Sequence, residues 1–82
     1  MSNTITLTDL MREYKSGVGW GVEFEYLRQN KASEALQELH LVKRSGITEP
    51  VVLHPEGFVV EGHLTVYVAS LLGIRDIPVE YA

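Results

Sequence analysis

The chain contains no cysteine. Disulfides, thiolate metal ligation, a cysteine nucleophile and thiol redox chemistry are therefore excluded. Positive charge is also scarce. Lys and Arg total 7 against 11 Asp and Glu, a formal net charge of -4. Long-range attraction to nucleic acid phosphate is not expected. Lys43 and Arg44 offer only a two-charge local patch. No apolar run approaches the ~20 residues of a membrane-spanning helix. Met1-Ser2-Asn3-Thr4 has neither a basic start nor an apolar run, so no signal peptide is expected there. No lipidation motif is visible. A cytoplasmic location without membrane contact is the expectation.

What is present suits one small globular domain. The chain has 82 residues, 45% hydrophobic and 22% charged, a balance typical of folded proteins rather than disordered ones. Tyr14, Trp20, Phe24, Tyr26, Phe58, Tyr67 and Tyr81 supply bulky anchors. No internal repeat or low-complexity segment interrupts the sequence.

Residues 4–7 alternate polar and apolar, which predicts a short strand. Thr8-Asp9 reads as a helix start, with Asp9 near the positive end of the dipole. Gly17, Gly19 and Gly21 predict a flexible connection around Trp20. Gly17-x-Gly19-x-Gly21 lacks the spacing of the dinucleotide-binding Gly-x-Gly-x-x-Gly pattern. Trp20 reads either as a hydrophobic plug or as an exposed anchor. A helix is expected from Glu23 to Asn30, restarting near Ser33. Ala32, Ala35, Leu36, Leu39 and Val42 then recur at helical spacing, and Gly46 is the expected C-cap.

Beyond Gly46 the period changes. Pro50 to His54 reads as a β-branched strand. His54-Pro55-Glu56-Gly57 carries proline and glycine at type I turn positions, and Phe58-Val59-Val60 returns. Gly62 breaks this strand, and a helix runs to Leu72 with Gly73 as its cap. Ile77 to Tyr81 is a closing strand. Pro78 suggests a strand start or an edge. The fold class is α+β: a small mixed sheet with a β-hairpin and packed helices. Residues 1–82 form a single domain. Residues 1–31 supply a strand, a helix and the glycine-rich loop, and 32–82 the core.

Three segments carry a family resemblance. They are Gly46 to Leu53, then Gly57-Phe58-Val59-Val60-Glu61-Gly62-His63, then Leu71 to Ile74 with Ile77-Pro78-Val79. Their glycines, prolines and apolar pairs follow the order of the ParB N-terminal, or ParB-like nuclease, domain of the ParB/sulfiredoxin-like fold. The resemblance covers roughly residues 33–82. It implies a phosphate-binding box at Glu61, Gly62, His63 and Thr65. In such a box glycine lets backbone approach a phosphate, and the free N–H groups of the helix start attract it.

The box departs from the family at two places. Leu64 stands where a second histidine is frequent, and Thr65 where arginine clamps the phosphate with paired hydrogen bonds. A charge-assisted bond of this kind contributes about 1.5–3 kcal/mol. Its loss weakens phosphate binding by roughly tenfold to a hundredfold. The sulfiredoxin branch also needs a catalytic cysteine, which is absent. The expected function is thus a small non-catalytic binding or regulatory protein on a ParB-like scaffold, acting through a protein partner or self-association. The resemblance and the size suit a phage or mobile-element accessory protein. The alternative is a nucleotide-binding phosphohydrolase or ParB-like nuclease using Glu61-Gly62-His63. A nucleotide is the weaker candidate ligand, nucleic acid is disfavoured, and no cofactor is implied.

Each candidate residue also has a plainer reading. An isolated histidine such as His63 is weak evidence of chemistry. His40 and His54 read as surface or boundary residues, and no His-x-x-x-His pair suggests a metal site. Glu61 reads as a solvated carboxylate as readily as a general base. The helix after Gly62 is apolar nearly all round, with Thr65 and Ser70 its polar interruptions. Such a helix needs cover on more than one side. Either the sheet and N-terminal helices enclose it, or part of it meets another chain. Val66, Tyr67 and Ser70, with Trp20, are the interface candidates on the second view.

Overall fold

The structure, a computed structural model, describes residues 3–82, and Met1 and Ser2 of the segment read for a signal peptide lie outside them. Strand β1 spans Asn3–Thr6 and helix α1 spans Leu7–Glu13. The helix therefore starts before the expected Thr8. Thr6 keeps extended backbone, and its Oγ1 accepts the Asp9 N–H at 3.1 Å. Thr6 thus ends the strand and caps the helix with one side chain.

Helix α2 spans Trp20–Asn30 and α3 spans Ala32–Ser45, with Lys31 between them. Helix α2 starts earlier than the expected Glu23, because Trp20 and Gly21 join it rather than the loop. Gly19, at φ 91°, makes the entry that residues with a Cβ rarely adopt. Gly46 ends α3 as its spacing predicts, its N–H donating to the Val42 carbonyl at 2.8 Å.

Strands β2, Val51–His54, and β3, Phe58–Glu61, form the expected hairpin. The Gly57 N–H closes its turn on the His54 carbonyl at 2.9 Å. Helix α4 spans His63–Leu72, between Gly62 and Gly73, and strand β4 spans Asp76–Tyr81. The four strands form one mixed sheet in the order β1-β4-β2-β3. β4 runs antiparallel to β1 and parallel to β2. Pro78 is thus in an interior strand, not at an edge. It pairs with Thr4 on one side, and β2 first pairs with β4 one residue later, at Val51 and Val79. No β2 ladder bond is lost at the proline.

Alternation sets the core. Val51, Leu53, Val59, Ile77 and Val79 turn inward and meet Leu10 of α1 with Val66 and Ala69 of α4. A second cluster, Leu27, Ala35 and Tyr67, joins α2 and α3 to the far side of α4. Phe24 and Tyr67 hold α2 to α4 with ring centroids 5.2 Å apart. Among the described residues, no helix is long and apolar enough to cross a membrane.

Candidate functional site

The sheet hairpin delivers Glu61 and Gly62 to the start of α4. Gly62 sits at φ 105°, and a Cβ there would lie 3.0 Å from Val51 Cγ2 and 3.1 Å from Val51 Cα. The glycine is therefore required by the chain's own packing on β2. An approaching phosphate is not needed to account for it. A register shift in the hairpin lies nearby, between Val52 and Leu53, where the β3 partners skip from Glu61 to Val59.

His63, the first residue of α4, faces the loop between α1 and α2. Its Nε2 lies 3.0 Å from the Ser16 carbonyl oxygen. The carbonyl can only accept, so Nε2 carries the proton. The loop is pinned on both sides of that contact. The Lys15 N–H donates to the Gly57 carbonyl at 2.8 Å, and the Val59 N–H donates to the Lys15 carbonyl at 2.9 Å. Trp20 Nε1 donates to the Tyr14 carbonyl at 2.9 Å. Its ring stands 6.0 Å from the His63 ring and 5.6 Å from that of Phe24. Trp20 is thus the plug of the two readings, half-buried and fastened by its own N–H. The Tyr14 hydroxyl titrates above the ordinary tyrosine range, first through desolvation and then through its neighbours Tyr81 and Glu13.

Thr65 faces a different neighbourhood from His63. It lines a hollow of about 250 Å³ with Glu38, Leu41, Ser45, Gly46, Thr48 and Glu49. Two acidic residues, Glu38 and Glu49, therefore share the hollow on which Thr65 opens. Neither Lys nor Arg lines this hollow among its described residues. Lys43 is exposed on α3. Arg75 follows the opposite end of α4, whose ten residues separate it from Gly62 by about 15 Å. The box is thereby divided: His63 turns to the α1–α2 loop, Thr65 to the α3–β2 connection, and Glu61 is exposed.

The interface candidates on α4 need correction. Val66 is fully buried and Tyr67 is 8% exposed. Sheet, α1, α2 and α3 enclose these two residues, whereas the helix as a whole is not fully enclosed, since Leu71 reaches the surface. Ser70 is partly exposed. Apolar side chains do reach the surface elsewhere. Leu36 of α3 and Leu71 of α4 are 56% and 55% exposed, on the rim of a shallow groove that Arg28 and Leu39 also line. Among the described residues, no three His, Asp or Glu side chains cluster to hold a metal.

Neither a family model, nor a curated protein, nor a solved structure matches the chain. The ParB likeness therefore rests on the residues quoted above. Two contributors to this region escape sequence reasoning. Ser16 acts through its backbone carbonyl, which no residue type advertises. Glu38 reaches the hollow because α3 packs along α4, and Glu49 because the connection from α3 to β2 passes beside it. Their one sequence signal is the surplus of acidic residues.

Proposed function

We propose that this chain is a small non-catalytic binding protein on a ParB-like scaffold, and that it works by contact with another protein. The observation that carries this reading is the pairing at the α4 start. His63 is engaged by the Ser16 carbonyl at 3.0 Å, and the side of Thr65 opens on Glu38 and Glu49. A phosphate arriving there would displace an internal hydrogen bond and meet two carboxylates with no cation to offset them. Coulomb repulsion opposes such a ligand, and the free N–H groups of the helix start are weak compensation. The protein's net charge of -4 acts in the same direction.

Titration calorimetry with CTP and with ATP, each with and without magnesium, tests the reading. No heat of binding is expected at millimolar nucleotide. Micromolar binding that Gly62 or His63 substitutions abolish would overturn it, and would restore the nucleotide-binding alternative. A nuclease or phosphohydrolase activity lost in His63→Ala would have the same force.

A further inference from the structure

All four helices lie on one side of the sheet. The core side chains of β2, β3 and β4 point to α1 and α4, while α2 and α3 stack behind α4. The alternate residues of the strands therefore form an outer face with no element of this chain over it. An apolar diagonal crosses that face: Pro78, Val52 and Phe58. Phe58 is 39% exposed and stacks on His54 with centroids 4.4 Å apart and planes 9° apart. The pair presents a flat plate at the hairpin end.

The strand charges around this diagonal are all acidic, and an exposed cation, Lys15, is bridged to Phe58 at the β3 edge beside them. Glu61 pairs with Val52 across β2 and β3, and Glu80 pairs with Val52 across β2 and β4. Asp76 shares the outer side with Pro78 and Glu80 by strand alternation. None of the described strand residues is Lys or Arg. All three carboxylate residues are exposed and none forms an ion pair among the described residues.

We infer that the outer sheet face docks a basic amphipathic segment of another protein, its apolar side on Val52, Phe58 and Pro78 and its Lys or Arg side chains on Glu61, Asp76 and Glu80. The inference rests on the chain being a binding protein and names the chemistry of what it binds. Charge decides the occupant. A second copy laid face to face would bring like carboxylates together, which costs free energy and selects against that pairing. Nucleic acid meets the same repulsion. A basic partner gains Coulomb attraction at the rim and buries the diagonal at the centre, the arrangement of a protein interface with an apolar core and a charged margin.

The probe is a synthetic helix-forming peptide of leucine and lysine, about 18 residues or five turns long, with a glutamate-for-lysine version as control. Titrated into ¹⁵N-labelled protein, the lysine peptide is expected to shift amide signals of Val52, Phe58, Glu61 and Glu80. Its affinity is expected to fall about tenfold or more between ~50 and ~300 mM salt, as screened ion pairs require. The double substitution Glu61→Lys with Glu80→Lys is expected to cost at least tenfold in affinity with an unchanged circular dichroism spectrum. Should that variant unfold, Val52→Lys must produce the same loss. No binding, equal binding of the glutamate peptide, or shifts centred on Leu36 and Leu71 instead would overturn the inference. So would a doubled solution mass of the free protein that the Glu61→Lys, Glu80→Lys variant loses. None of these outcomes depends on nucleotide, so the calorimetric test of the function stands apart.

Discussion

His63 and Ser16, separated by 47 residues, are joined by a 3.0 Å hydrogen bond from the imidazole Nε2 to the backbone carbonyl. This bond anchors the α1–α2 loop to the start of α4. It converts the most suggestive residue of the phosphate box into a tie between two parts of the fold. A partly buried neutral hydrogen bond contributes about 1 kcal/mol net. His63→Ala is therefore expected to lower the melting temperature by roughly 4–8 °C, and His63→Gln, which retains a donor, to recover part of the loss. Thermal denaturation followed by circular dichroism measures both. An unchanged melting temperature for His63→Ala would contradict the tie.

Gly62 and Gly19 separate two reasons for a glycine. Both have positive φ, but only at Gly62 would a Cβ strike a neighbour, Val51. Gly19→Ala carries backbone strain alone, about 1 kcal/mol. Gly62→Ala adds overpacking against β2 and is expected to cost roughly 2–4 kcal/mol. Urea denaturation of the two variants checks the ranking. Equal losses would show that the approach to Val51 is not close.

Leu71 and Val66 lie on opposite sides of α4. Val66 is fully buried, whereas Leu71 is 55% exposed. Val66→Ala leaves a cavity in the core and is expected to cost about 2–3 kcal/mol. Leu71→Ala is expected to stay within about 0.5 kcal/mol. The midpoints of chemical denaturation measure the contrast.

How far the sequence discloses this arrangement depends on distance along the chain. The hairpin, its His54–Gly57 turn and the glycines bracketing α4 follow from residues within a few positions of one another. The β-branched run and the turn residues state them directly. The start of α1 needs the knowledge that Thr6 still pairs with Asp76 in β4, so local capping rules favour Thr8 equally well. The same holds for Trp20. Gly21 argues for a loop, but burial of the indole against Phe24 and His63 draws Trp20 into α2. The candidate site was least legible. Its glycine and histidine are conspicuous, yet the partners that define their roles, Val51 and the Ser16 carbonyl, are remote and carry no motif.

Acid sensitivity has one local source in α2. The Arg28 guanidinium donates to the Glu25 carboxylate, with Nε to Oε2 at 3.2 Å. These bonds hold the Glu25 carboxyl below the ordinary glutamate range. The unfolded chain then binds a proton more readily than the folded one. The contribution to stability is present above the unfolded pKa of about 4.3 and is lost as pH falls through the lower folded value. Both side chains are exposed, so the effect is small and screened by salt. Glu25→Gln is expected to flatten the stability profile below about pH 4.5 at low salt and to leave it unchanged near neutrality. A profile with the same acid slope in both proteins would place the sensitivity elsewhere.

Thr65→Arg introduces the arginine that the proposed ParB-like scaffold would carry at this position, and its outcome separates a missing clamp from a rebuilt site. If the arginine alone were lacking, the substitution would bring back nucleotide binding. The hollow beside Thr65 instead contains Glu38 and Glu49, and an arginine there pairs with these carboxylates before any phosphate arrives. Nucleotide binding is therefore expected to stay undetectable in Thr65→Arg by calorimetry. The triple variant Thr65→Arg, Glu38→Gln, Glu49→Gln removes that competition. It is expected to gain phosphate affinity only weakly, because the His63 Nε2 remains on Ser16. Micromolar CTP binding by the single variant would mean that one side chain separates this chain from a working phosphate site, and that the acidic hollow plays no part.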